Sequence, residues 1–319
     1  MNYFASKEVA SFGFKDILYE KKDWVGRITI NRPESFNCYT TSTLQELITA
    51  IDDASNDDSV GVIVLTGAGD KAFCTGGDVK EYAGVYTKSP HDYFKYMGLF
   101  AKYIESILRS GKVTIARING IAVGGGNETQ LACDLAVMAD DTYLGQVGTS
   151  VGSVACGGAT QWLSITVGDR RAREMLFLNP RIPAAKALDW GLVNRVVPRA
   201  QLDDEVNALV KQLLEKFPEC TRYTKQQVNY WKEAAWHATV GHARDWLSTH
   251  FTTLEPYEGM QAFVEKRKVN FIGLREKAAD ETLSSEFLWG PYEKACAACG
   301  AKGIPRQFDF CGGCGAKLA

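Results

Sequence analysis

The chain has no apolar run of the roughly 18 to 20 residues that a membrane-spanning helix needs. Its opening stretch, MNYFASKEVASFGF, lacks the basic segment and apolar core of a secretory leader. The expected location is therefore the cytoplasm. An excess of one charge sign is missing too. Lys plus Arg is 36 and Asp plus Glu is 38, a formal net charge of -2. Such a chain has no electrostatic footprint for nucleic acid or for an anionic membrane surface. No GxxxxGK[ST] segment occurs, which argues against a P-loop nucleotide site. The four histidines, His91, His237, His242 and His250, show no metal-ligand spacing with nearby carboxylates. There is no internal repeat and no low-complexity tract.

What remains is a globular composition. Of 319 residues, 45% are hydrophobic and 23% charged, which leaves room for one large domain or two ordinary ones. Residues 14–31 alternate apolar and polar (Ile17, Tyr19, then Val25, Ile28, Ile30) and predict a β-hairpin. Residues 40–54 carry Leu44, Leu47, Ile48 and Ile51 at helical spacing, with Thr40 or Thr41 as cap. GVIVLTG (61–67), VTIARI (113–118) and LAVMA (135–139) are short apolar runs of the kind buried on both faces of a parallel sheet. Residues 157–254 read as mostly helical, interrupted by a short strand at 193–197. Strand-helix alternation followed by helices predicts an α/β core with a helical C-terminal region.

Nine cysteines are present. Cys38, Cys74, Cys133, Cys156 and Cys220 are scattered and are expected to be buried thiols. Cys296, Cys299, Cys311 and Cys314 form two CxxC pairs, each followed by glycine, in a small, Gly-rich tail too short for a hydrophobic core of its own. This spacing points to four thiolates around one structural Zn²⁺; a disulfide pair and a redox CxxC are the alternatives.

Two Gly-rich loops stand out, AFCTGGD (72–78) and AVGGGNE (122–128), each after an apolar strand. Such loops let a ligand approach the backbone closely, and two convergent N–H groups can hold an oxyanion, although Gly-rich strand-helix turns are often purely structural. Together with INRPESFNCYT, ARINGIAVGGGNE, CDLAVMAD, LGQVG and ALDWGLVNRVVP, which follow one another from about residue 14 to 220, they resemble the crotonase (enoyl-CoA hydratase/isomerase) superfamily. EYAGVYTKSPHDYFKYMGLF, GQVGTSVGSVACGGATQWL and the helical segment from about 214 to 275 resemble its ring-opening branch, the hydrolases of cyclic β-oxoacyl-CoA thioesters of the 6-oxocyclohex-1-ene-1-carbonyl type.

The resemblance implies a β-β-α spiral core over residues 1–200, a helical trimerisation or lid region over 201–290, and the appended zinc ribbon over 291–319. It implies an acyl-CoA thioester substrate, coenzyme A being part of it, no redox cofactor, and a trimer or hexamer. Gly77 and Gly125 would supply the oxyanion N–H groups. Ser35, Phe36, Asn37, Phe73 and Thr75 match the segments that grip coenzyme A. Glu128 matches one of the two hydratase glutamates and would activate water, whereas read as a residue alone it complements a helix N-terminus. The second glutamate is replaced by Gly148, which sets ordinary two-glutamate hydration in doubt. Thr149, where ring-opening relatives tend to have proline, and Ser153, Tyr82 and Tyr86 are expected near the acyl group; Tyr82 and Tyr86 can also simply pack. The resulting expectation is a ring-opening C–C hydrolase. The alternatives are a hydratase of cyclic or linear enoyl-CoA, and a non-catalytic CoA-ester-binding subunit that docks a protein partner through the ribbon.

Overall fold

The computed structural model describes residues 6–280 and 286–319. Residues 1–5, where the stretch read for a leader begins, and 281–285, within the expected helical region, lie outside the described residues. Among the described residues ten strands form two sheets. β1 (Ile17–Lys22) and β2 (Val25–Ile30) make the expected hairpin, Ile17 facing Ile30. Its two-residue turn, Asp23 and Trp24, has positive φ at both positions, which matches the twist of the flanking strands. β3 (Val62–Gly67), β5 (Val113–Ile118), β7 (Leu135–Ala139) and β10 (Arg195–Val197) continue that sheet in parallel. A second sheet joins β4 (Ala72–Cys74), β6 (Ile121–Val123), β8 (Tyr143–Gly145) and β9 (Ile182–Pro183).

The chain climbs in repeated turns. A long strand enters the first sheet, a three-residue strand enters the second, and a helix follows. The turn β3–β4 leads to the helix Val79–Gly84, β5–β6 to Gly125–Ala132, and β7–β8 to Ala159–Val167. This is the expected β-β-α spiral.

The central strands β3, β5 and β7 are mostly apolar because both sheet faces are covered there. Ile63 and Leu65, Ala116 and Ile118, Ala136 and Met138 point into the main core with the helices Thr41–Asn56 and Pro90–Leu108. Val62, Val64, Ile115, Val137 and Ala139 point the other way, onto Leu202, Val206, Leu209 and Val210 of the helix Leu202–Leu214. Thr40 caps Thr41–Asn56 in a reciprocal capping box with Thr43.

The helices Pro218–Val228 and Tyr230–His250 return across the helix Pro90–Leu108. Lys225 donates to the carbonyls of Ile107 and Lys112, and Trp236 Nε1 donates to Glu105 at 2.8 Å. Trp236 is core, while Trp231 is 69% and Trp246 45% exposed. Of the scattered cysteines, Cys38, Cys74, Cys133 and Cys156 are buried; Cys220, against expectation, is exposed, because it lies on the outer face of the helix Pro218–Val228. No helix among the described residues is long and apolar enough to cross a membrane.

Asn37 fastens the entrance of the first Gly-rich loop. It is fully buried; its amide donates to the carbonyls of Ala68 (2.9 Å) and Ala72 (2.7 Å), and its Oδ1 accepts the Arg32 N–H (3.1 Å). Asn37→Ala strands these backbone groups in a dry site, so urea unfolding should show a loss of about 2–4 kcal/mol.

Candidate active site and cysteine cluster

The two Gly-rich loops touch each other. Gly76 adopts φ +88°, and a methyl group placed on it would lie 2.8 Å from the Gly125 nitrogen. A methyl on Gly126 would lie 1.9 Å from the Cys74 carbonyl oxygen, so only glycine allows the helix Gly125–Ala132 to start this close to β4. Tyr39 pairs with both flanks of Gly77: its N–H donates to the Gly76 carbonyl (2.9 Å), and its own carbonyl accepts the Asp78 N–H (3.0 Å). The Gly77 N–H is thereby turned away from Tyr39 and has no acceptor among the described residues. The Gly125 N–H is the first of its helix and likewise has no intrahelical acceptor. Two free N–H groups on touching loops are the parts of an oxyanion hole.

Glu128 follows on the same helix and is 3% exposed. Its Oε1 accepts two backbone N–H groups, Gly157 at 2.6 Å and Ala159 at 3.2 Å. Burial pushes its carboxyl up to about 7, against the opposing pull of the Ala159 and Gly157 N–H groups. A carboxyl that titrates near neutrality can take a proton and return it within one cycle. Gly148 offers no second carboxylate.

The other expected site residues fall into three places. Tyr82 lies at the glycines: a methyl on Gly77 would come 1.6 Å from its hydroxyl oxygen, which is hydrogen-bonded to the Tyr96 hydroxyl at 2.7 Å. Tyr86 is buried in the same aromatic cluster, its ring 4.9 Å from that of Tyr96 and its hydroxyl on Thr41. Tyr93 stacks on Phe251 at 3.9 Å, in the neighbourhood of Ser153.

Near the first loop, the Thr75 hydroxyl donates to the Phe36 carbonyl at 3.3 Å, Phe36 is 46% exposed, Ser35 is half-buried, and Phe73 is buried. Arg32 joins this segment to the loop through Asp78 (3.2 Å) and the Cys38 carbonyl (2.7 Å). Asp78 also caps the helix Val79–Gly84.

Thr149 stands apart. Its hydroxyl meets the Leu176 carbonyl and Asn179, and it lines a separate cavity of about 480 Å³ with Gly152, His250 and Phe271. Sequence reading did not anticipate the Gly157–Ala159 clip on Glu128 or the position of Tyr39. The Gly157-Gly158 pair ahead of a helix was the only visible signal of the clip.

The four tail cysteines converge. Their sulfurs all lie within 4.8 Å of one another, with Cys296–Cys314 and Cys299–Cys311 each at 3.6 Å. Sulfurs about 2.3 Å from a tetrahedral zinc stand roughly 3.8 Å apart, so the donor set and its spacing fit that ion. Each pair sits in a knuckle closed in the same way: Cys296 N–H to the Ala301 carbonyl and Cys311 N–H to the Ala316 carbonyl, both 2.8 Å, with Gly300 and Gly315 at positive φ. The Cys299 and Ala298 N–H groups pull the Cys296 thiol down to about 7. Ile304 and Leu318 are the other buried apolar side chains of this tail.

The site brings together two backbone N–H groups without acceptors and one buried carboxyl that titrates near neutrality. The chain matches the enoyl-CoA hydratase/isomerase family model over residues 20–274, and it belongs to that family. It is 33% identical to the 6-oxocyclohex-1-ene-1-carbonyl-CoA hydrolase of Geobacter metallireducens, over 82% of this chain and 83% of the relative. Among solved structures it is similar to an enoyl-CoA hydratase from Mycobacterium avium subsp. paratuberculosis (27% identity, 81% of this chain and 98% of that one, TM-score 0.73). It is also similar to one from Bacillus anthracis (30% identity, 81% and 100%, TM-score 0.65). It is a crotonase-family enzyme with CoA-ester activity.

The raised carboxyl of Glu128 has a stability consequence. A folded-state value of about 7 against an unfolded value near 4.5 favours folding fully below the unfolded value, and this contribution is lost as pH rises through 7. Glu128→Gln keeps the acceptor oxygen and removes the charge. Chemical denaturation at pH 8.5 should find the variant more stable than the parent by roughly 2–3 kcal/mol, with the difference gone at pH 4.

Proposed function

We propose that the protein is a ring-opening C–C hydrolase of a cyclic β-oxoacyl-CoA of the 6-oxocyclohex-1-ene-1-carbonyl type, working in anaerobic aromatic or alicyclic degradation. One observation carries this reading. A single buried carboxylate, clipped at one oxygen and poised near neutrality, stands beside two free N–H groups, with glycine where a second carboxylate would be needed for ordinary hydration.

The thioester oxygen accepts the N–H groups of Gly77 and Gly125. In an unsaturated ring, one water first adds across the double bond conjugated to the thioester. Glu128 then takes a proton from a second water as its oxygen attacks the ring ketone, giving a tetrahedral hydroxy-alkoxide. The alkoxide re-forms C=O, the bond from the former ketone carbon to the thioester α-carbon breaks, and its electron pair passes into the thioester enolate held by the two N–H groups. Protonated Glu128 returns its proton to the α-carbon. The product is an open-chain dicarboxylic mono-CoA ester, and the thioester survives. No electron leaves the substrate, so the reaction as written calls for no redox cofactor. Ser35, Phe36, Asn37, Phe73 and Thr75 frame the coenzyme A portion, and Tyr82, Tyr86 and Ser153 the acyl side; Thr149, expected with them, lies in the separate cavity instead.

The core over residues 1–200 carries the chemistry, the helices of 201–290 serve assembly into a trimer or hexamer in the cytoplasm, and residues 291–319 hold one structural zinc. Exposed Ile165, Phe177, Leu178 and Trp231 support assembly through apolar contact.

Mass spectrometry of the CoA product tests the activity. Incubation with 6-oxocyclohex-1-ene-1-carbonyl-CoA should add two waters, and crotonyl-CoA should stay unchanged. One added water on both would make the protein a hydratase; no turnover of either would favour a CoA-ester-binding subunit. Elemental analysis of the reduced protein should find about one zinc per chain. Chelation should unfold the tail and leave core unfolding unchanged; less than about half an equivalent overturns the zinc reading.

A further inference from the structure

Tyr39 carries a hydroxyl that the fold itself does not use. The side chain is 2% exposed, with its ring stacked on Phe100 at 5.7 Å and tilted against Tyr103 at 6.1 Å. Three of its neighbours of the same kind are engaged: Tyr82 with Tyr96, Tyr86 with Thr41, and Tyr103 with Thr129. The Tyr39 hydroxyl has no hydrogen-bond partner among the described residues. A hydroxyl without a partner in the chain is left to meet one that a ligand brings, and Tyr39→Phe breaks no hydrogen bond of the fold. Its position is specific: a methyl on Gly125 would lie 1.7 Å from the hydroxyl oxygen, so the phenol stands against one of the two oxyanion glycines. The backbone of the same residue holds Gly77, the other one. Burial, then the neighbouring Tyr82 and Cys74, keep the phenol protonated well beyond neutral pH, so it can only donate outward to an acceptor brought in by the ligand.

We propose that Tyr39 is a further catalytic residue whose hydroxyl donates to the ring-carbonyl oxygen of the substrate, forming a second oxyanion site beside the one that holds the thioester oxygen. The proposal rests on the ring-opening reading. A cyclic β-oxoacyl thioester bears two carbonyl oxygens on neighbouring positions and develops negative charge on each in turn. The ring oxygen is charged in the tetrahedral adduct, and the thioester oxygen in the enolate that follows. Gly77 and Gly125 answer the second charge. Tyr39 answers the first, and no proton leaves it; the hydrogen bond shortens as the alkoxide forms and relaxes as C=O returns. Neither a linear enoyl thioester nor a cyclic one without the ketone offers this second oxygen, so Tyr39 also selects for the β-oxo ring.

The decisive measurement compares two ligands on two proteins. In a Glu128→Gln background, which blocks turnover, 2-oxocyclohexane-1-carbonyl-CoA should bind about tenfold more tightly than cyclohexane-1-carbonyl-CoA by titration calorimetry. Adding Tyr39→Phe should abolish that preference and leave the affinity for the ketone-free ligand unchanged. In the Glu128 protein, Tyr39→Phe should lower kcat for ring opening on the order of a hundredfold, the size of effect seen when one oxyanion donor is removed. Its melting temperature should be unchanged or raised, because the lost hydroxyl had no partner. Equal weakening of both ligands, or a lowered melting temperature, means that Tyr39 only shapes the glycine loops and overturns the proposal. Unchanged ring opening in Tyr39→Phe overturns it as well. If the parent protein opens no cyclic ketone but the ligand preference still depends on Tyr39, the recognition stands and the ring-opening reading alone fails.

Discussion

The close approach of Gly126 to the Cys74 carbonyl is the constraint on which the site depends. No side chain fits between them. The contact presses the start of one helix against the end of a short strand from the preceding turn of the spiral. It thereby sets two backbone N–H groups side by side and drives the next residues of the helix, Glu128 among them, into the core. Catalytic geometry here is a product of backbone packing, with side chains arranged around it. That economy suits enolate chemistry, because amide N–H groups fixed by a sheet and a helix need no reorganisation when charge develops.

The same packing makes Glu128 costly. Its carboxylate lies among Phe100 and the tyrosines, and only two backbone N–H groups compensate its charge. The fold could have met it with a cation, which would stabilise the ion and make it a poor base. Leaving it short of partners raises its proton affinity to near neutrality. The clip at Oε1 fixes which oxygen is spent on the fold.

Much of this was legible in the sequence. The runs 62–67, 113–118 and 135–139 announced strands buried on both faces because they are dominated by apolar residues, and the faces then sorted themselves with a period of two. Thr40 announced a helix start, and the two CxxC pairs announced their own convergence. The second sheet was less visible, since its strands of two or three residues are too short to show any period. Cys220 misled because an isolated cysteine carries no sign of which helix face it occupies. The clip of Gly157 and Ala159 on Glu128 crosses some thirty residues of chain and uses only backbone, so no side-chain pattern records it. Nothing in the sequence set Tyr39 apart; its spare hydroxyl has meaning only once its place against Gly125 is seen.

Gly148 ties the charge of the site to the shape of the loop beside it. A side chain there would begin 3.1 Å from the Ser153 carbonyl oxygen and 3.2 Å from the Ala155 nitrogen, both of them backbone atoms. The segment that follows is tied down by the Ser153 N–H on the Gly148 carbonyl and by Gly152 packed against the backbone of Glu255 and Pro256. An acidic residue placed at 148 would need that backbone to give by a few tenths of an ångström. Whatever carboxylate chemistry it added would therefore come with a shift of the 153–155 backbone, so position 148 is a lever on the loop as much as on the charge of the site.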